Sequence, residues 1–122
     1  TATQLIGQFK VDHAIIGASA IDAEGAPLDF DYREVQVAQA IIANARSVML
    51  VADSTKLHRS APVRIAHISQ IQTFVTDRPL PDGLANVCHS RGIQVVVAMS
   101  AGELEEGADT PEPAPQSVLR RA

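Results

Sequence analysis

The chain has no tryptophan, one tyrosine, three phenylalanines and a single cysteine among its 122 residues. So few aromatic rings exclude the stacking platform on which single-stranded nucleic acids are bound. One cysteine cannot build a disulfide framework within a chain. Cys88 falls instead in the apolar helical pattern Leu84, Val87, Cys88 and reads as a core residue of a protein from a reducing compartment. No apolar run approaches the ~20 residues of a membrane span, and the first residues lack a basic-then-apolar signal. His13, His58, His67 and His89 are scattered without a metal-ligand spacing, so no metal is expected. A nucleophile elbow, a Walker loop and a dinucleotide fingerprint are all missing, so no cofactor is expected either. These absences describe a cytoplasmic domain with a modest core of Ile, Val, Leu and Ala, consistent with its 46% hydrophobic content.

Charge divides the chain in two. Residues 1–99 carry nine acids against eight bases, whereas residues 100–122 carry five acids against two bases, which together give the net −4. The second stretch also holds Gly102, Gly107, Pro111, Pro113 and Pro115 without apolar periodicity, and reads as a disordered tail. Arg120-Arg121 belongs to that tail as a solvated terminus. The folded unit is then residues 1–99, close to neutral and without the basic stripe that a DNA-binding surface needs.

Within 1–99, strand and helix patterns alternate. Residues 3–9 look like the end of a helix, and His13-Ala14-Ile15-Ile16-Gly17 like a strand. Residues 32–46 place Val35, Ala38, Ile41, Ile42 and Ala45 on one helical face, with Asp31 and Glu34 as a capping box. The apolar run 47–52 predicts a strand covered on both faces, and 63–66 and 72–76 predict two more. Asp82 as N-cap and Gly92 as C′ residue bound a helix over 83–91, followed by a strand at 93–98. Strand–helix–strand order argues for an α/β fold, a largely parallel sheet flanked by helices.

The feature richest in chemistry is Asp53-Ser54-Thr55-Lys56, an acid and a base emerging from the carboxyl end of the strand 47–52 at an expected switch region. Open α/β sheets bind ligands there. Between Asp53 and Asp77 no acid occurs, while Lys56, Arg59, Arg64, His58 and His67 do, so the stretch looks built for an anion. Lys56 would act as a point charge on a phosphate, with the Ser54 and Thr55 hydroxyls as donors. A short helical turn capped by Asp53 and Ser54, with Lys56 solvated, explains the same residues.

A second group is Gly17-Ala18-Ser19-Ala20-Ile21-Asp22. Small residues at a strand end let a ligand approach backbone N–H groups, with Ser19 as donor and Asp22 as acceptor for sugar-type hydroxyls. A tight turn in which Ser19 and Asp22 bond local backbone competes with that reading and is favoured by residue type alone. In Asp29-Phe30-Asp31-Tyr32-Arg33-Glu34 the acids suit a helix start, and capping accounts for them better than a general acid–base pair.

These blocks in order, from Phe9-Lys10-Val11-Asp12-His13 through Asp22, then 29–35, then Ala52-Asp53-Ser54-Thr55-Lys56-Leu57-His58-Arg59 and Thr76-Asp77, resemble the effector-sensing domain of DeoR-type bacterial transcriptional repressors. The resemblance covers about residues 3–98. It implies a Rossmann-like sensor of the ribose-phosphate-isomerase and CoA-transferase type, of which this chain is the carboxyl-terminal part. It implies further that a phosphorylated sugar or polyol binds at Gly17, Ala18, Ser19, Asp22, Asp53, Ser54 and Lys56, with Arg59 as an addition. Binding would modulate operator DNA contact by a helix-turn-helix domain that this chain lacks. Within the family, 30–35, 40–42 and 48–53 look closest to members that respond to glycerol 3-phosphate. Two departures bear on effector choice: Ala20 and Leu57-His58 stand where Gly and Phe-Gly are common, adding a methyl group to a turn and a titratable ring beside the phosphate. The expected partners are therefore a small phosphorylated effector and other copies of the chain, in a homo-oligomer. The rival expectation is a sugar-phosphate isomerase on the same fold with an acid from 22–34 as base.

Overall fold

The computed structural model describes residues 2–98, so the expected disordered tail over 100–122 lies outside the described residues. Four parallel strands form the main sheet: β1 (Val11–Ile16), β4 (Ala45–Val51), β6 (Thr73–Thr76) and β7 (Gln94–Val97), in the order β1-β4-β6-β7. Among the described residues three α-helices accompany it, α1 (Ala2–Ile6), α2 (Tyr32–Ala43) and α3 (Asp82–Ser90). The register aligns Ile16 with Leu50, Leu50 with Phe74 and Phe74 with Val95, a continuous apolar row across the sheet. Alternation puts Val48, Leu50 and Ala52 on that same face, where they meet Val35 and Ile42 of α2 and Leu84 and Cys88 of α3. Leu50, Phe74 and Cys88 are fully buried. The expected α/β class and parallel sheet are therefore present, and Cys88 is the core residue that its pattern indicated. Burial pushes its thiol pKa up.

Several details differ from expectation, each for a local reason. α2 ends at Ala43 rather than 46, because the Asn44 side chain donates to the Ala40 carbonyl (2.7 Å) and its N–H to that of Ile41. Ala45 then pairs with Val11 and starts β4. Asp31 caps α2, accepting the Arg33 N–H at 2.8 Å, but the expected capping box is not closed, since Glu34 makes no return bond to Asp31. In α3 the N-cap is Pro81, not Asp82, which sits one residue inside and favours the helix dipole from there. Gly92 takes the left-handed conformation foreseen for it, at φ 70°.

The larger difference is a second, antiparallel sheet, β2 (Ala20–Ile21), β3 (Pro27–Asp29) and β5 (Val63–Arg64), in that order. The segment predicted as a strand over 63–66 belongs to it rather than to the parallel sheet. Ala20 lies in its first strand, fully buried, so its methyl group fills core and not a tight turn. Gly25, at φ 88°, closes the β2–β3 hairpin where an added Cβ would stand 2.7 Å from Ile68 Cδ1. The main sheet advances in one direction from β1 to β7, so the loop after β4 leaves a carboxyl edge without a reversal of strand order. The switch region expected there is absent among the described strands.

Candidate functional site

Because the four strands are parallel, the chain leaves each of them at one edge of the sheet. A cavity of about 390 Å³ opens along that edge. Gly17 and Ala18 line it after β1, Val51, Ala52, Asp53 and Lys56 at the end of β4, Val75, Thr76 and Asp77 at the end of β6, and Ala98 after β7. Its volume lies in the range of roughly 300–1,000 Å³ that suits a small molecule. Val51 and Val75 make the floor apolar, and Asp53, Lys56 and Asp77 supply charge.

The loop after β4 folds as a 3₁₀ turn, Ser54–His58, and two carboxylates organise it. Asp53 is its N-cap, accepting the Thr55 N–H at 2.8 Å and the Thr55 hydroxyl as well. Asp77 reaches across from the end of β6 and accepts the Ser54 N–H at 2.7 Å. Both carboxyl groups are held below the usual carboxylate range, Asp53 mainly by the Thr55 hydroxyl and Asp77 mainly by the Ser54 N–H. They are ionised at neutral pH, and they use up the first two N–H groups of the turn. Lys56, half-buried on the cavity wall, makes no ion pair among the described residues. The cation of this site is thus a side chain and not a cluster of amides. The capping half of the turn reading holds for Asp53, but Lys56 is not left in bulk solvent.

The rest of the basic stretch does not gather here. Arg59 is the exposed C-cap of the turn, Arg64 is exposed on β5, and His67 accepts the Ser69 N–H while Gln70 closes a reciprocal cap. His58 is exposed and does not line the cavity. Of the five basic residues of the stretch, Lys56 alone lines the cavity, beside the carboxylates of Asp53 and Asp77.

In the loop after β1, Gly17 and Ala18 reach the cavity, while Ser19 and Asp22 turn away. The Ser19 hydroxyl donates to Asp29 Oδ1 at 2.9 Å, and its N–H to the Leu28 carbonyl. Asp22 Oδ1 accepts the N–H groups of Glu24 and Ala26, both at 2.9 Å, inside the β2–β3 hairpin. The tight-turn reading therefore describes Asp22, which bonds local backbone, whereas the Ser19 hydroxyl goes to the Asp29 side chain instead. Thr76 and Asp77 are cavity residues that the sequence presented only as a block of resemblance. Their signal was available: β6 runs parallel to β4, so its last residue must finish beside the Asp53 loop.

The model of the DeoR C-terminal sensor domain matches residues 1–78. The chain is 42% identical over 92 residues to a glycerol-3-phosphate regulon repressor of Haemophilus influenzae, covering 75% of this chain and 36% of that protein. It is 43% identical over 90 residues to the glycerol-3-phosphate regulon repressor of Escherichia coli, covering 74% and 36%. It is also 32% identical over 97 residues to the HTH-type transcriptional repressor CsqR of Escherichia coli, covering 80% and 37%. The chain thus spans little more than a third of the length of these relatives.

Proposed function

The chain belongs to the DeoR C-terminal sensor domain family, and on that premise we propose that it is the effector-sensing part of a transcriptional repressor, binding a small phosphorylated polyol. The observation that carries the proposal is the meeting of Lys56, Asp53 and Asp77 around one cavity at the carboxyl edge of the sheet. A polyol phosphate carries one anionic end and neutral hydroxyls. Lys56 matches the former, and carboxylates with free lone pairs match the latter. Two carboxylates beside a single cation disfavour a ligand that is anionic along its whole length.

Glycerol 3-phosphate is the expected effector, because two relatives similar to this chain are named for its regulon. Gly17 and Ala18 let it approach the backbone. Ser19 and Asp22 shape the first loop, Ser54 anchors the second, and Arg59 adds positive charge at the second loop's end. The effector then alters operator binding by a DNA-binding part of the intact protein. A homo-oligomer fits the large apolar side chains left exposed among the described residues, Leu5, Phe9, Phe30 and Tyr32 foremost. A cytoplasmic location suits a regulator of DNA, and no helix among the described residues is long and apolar enough to cross a membrane. An isomerase using Asp22 as base draws no support, since Asp22 Oδ1 holds the hairpin and the relatives are named as regulators.

Calorimetric titration of the intact protein tests the reading. Glycerol 3-phosphate should bind, and glycerol far more weakly, because the charge-assisted contact supplies much of the selectivity. Equal affinity for the two contradicts it.

A further inference from the structure

Thr76 ends β6 on the wall of the cavity and is 3% exposed. Its Oγ1 is the one buried side-chain nitrogen or oxygen without a hydrogen-bond partner among the described residues. Buried hydroxyls are almost always paired, since a hydroxyl removed from water without a partner is destabilising. Valine has the same shape and a strand preference at least as good, so packing alone does not account for a hydroxyl here. The backbone of Thr76 is already used, its carbonyl accepting the Ala98 N–H at 2.7 Å. Its neighbour Asp77 holds the Ser54 N–H and so fixes the Lys56 loop at this same strand end.

From these observations we infer that Thr76 is a specificity-determining residue of the site, its hydroxyl being satisfied by a hydroxyl group of the bound ligand. The inference rests on the effector reading above and extends it to a third wall. Lys56 takes the charged end of the ligand. Thr76, one strand away, reports whether the other end carries a hydroxyl. A phosphate monoester without that hydroxyl leaves Thr76 unpaired and gains nothing from it.

The test is a cycle of two ligand changes against one side-chain change in the intact protein. Glycerol 3-phosphate is compared with 2-hydroxypropyl phosphate and 3-hydroxypropyl phosphate, each lacking one of its two free hydroxyls. Thr76→Val should weaken glycerol 3-phosphate about tenfold and raise the melting temperature of the unliganded protein. Thr76→Ser, which keeps the hydroxyl, should retain most of the affinity. For the one analogue that lacks the contacted hydroxyl, wild type and Thr76→Val should bind alike. Undiminished binding of glycerol 3-phosphate by Thr76→Val overturns the inference and leaves the effector reading standing. So does an affinity gap that persists with both analogues. Wild-type protein that binds none of the three ligands contradicts the effector reading itself, and this inference falls with it.

Discussion

The loops after β1 and β4 leave the same edge of one sheet and contain similar residues, yet they spend them differently. In the first, Ser19 is bonded to Asp29 and Asp22 to Glu24 and Ala26, so each polar side chain closes the hairpin that contains it. In the second, Asp53 and Asp77 close the turn, while Lys56 is left on a cavity wall with no ion pair among the described residues. A polar group whose bonds are all local is accounted for by folding. A charge held half-buried at a cavity with its bond unmade calls for a ligand.

If that contrast is right, changes in the first loop should act on stability and changes at Lys56 on binding. Gly25→Ala should have the largest effect on folding. It places an L side chain at φ 88° and a Cβ 2.7 Å from Ile68 Cδ1. Left-handed strain of about 1–2 kcal/mol and overpacking of about 1–3 kcal/mol together give a loss of about 2–5 kcal/mol, measured by urea unfolding of the intact protein. Asp22→Ala should follow. Two N–H acceptor bonds disappear, at about 0.5–1.5 kcal/mol each, and the effector affinity of the protein that remains folded should change little. A large selective loss of affinity in Asp22→Ala would break the contrast by making the first loop part of the binding chemistry.

Acid should act on the second loop in a smaller way. Asp53 and Asp77 have folded-state pKa values below their ordinary ones, so the stability they contribute is complete above the unfolded value and is lost as pH falls through the folded value. Below about pH 4, the ordinary carboxylate value, wild type should lose stability more steeply than Asp77→Asn. Parallel pH profiles would show that the Ser54–Asp77 bond contributes nothing to folding. Lys56→Ala should be the least perturbing, within about ±0.5 kcal/mol of wild type in unfolding, because a lysine without an ion pair has little to lose.

Much of this arrangement was legible in the residues because it depends on strong local signals. Gly92 needed a left-handed turn, Asp31 preceded a helical apolar face, and Asp53 followed an apolar run ended by a polar cluster. What stayed hidden depends on pairing between distant segments. β2 and β3 have two and three residues, too short for alternation to register, and they exist because Ala20 and Ile21 pair with Leu28 and Pro27. The end of α2 turned on the Asn44 side chain, not on periodicity. The dispersal of Arg59, Arg64 and His67 could not be read from their closeness in sequence, since a turn, a strand edge and a cap send them to different surfaces. Thr76 was visible as a residue but not as an unpaired one, because a missing hydrogen bond belongs to the fold and not to the residue type.

Operator release by the intact protein tests the account most directly. Wild type and Lys56→Ala would be followed on labelled operator DNA by fluorescence anisotropy as glycerol 3-phosphate is added. Losing a hydrogen bond to a charged group, worth about 1.5–3 kcal/mol, predicts that Lys56→Ala binds the operator normally but needs roughly ten to a hundred times more effector to release it. Release of Lys56→Ala at the wild-type concentration would contradict the assignment of the effector's charged end to Lys56.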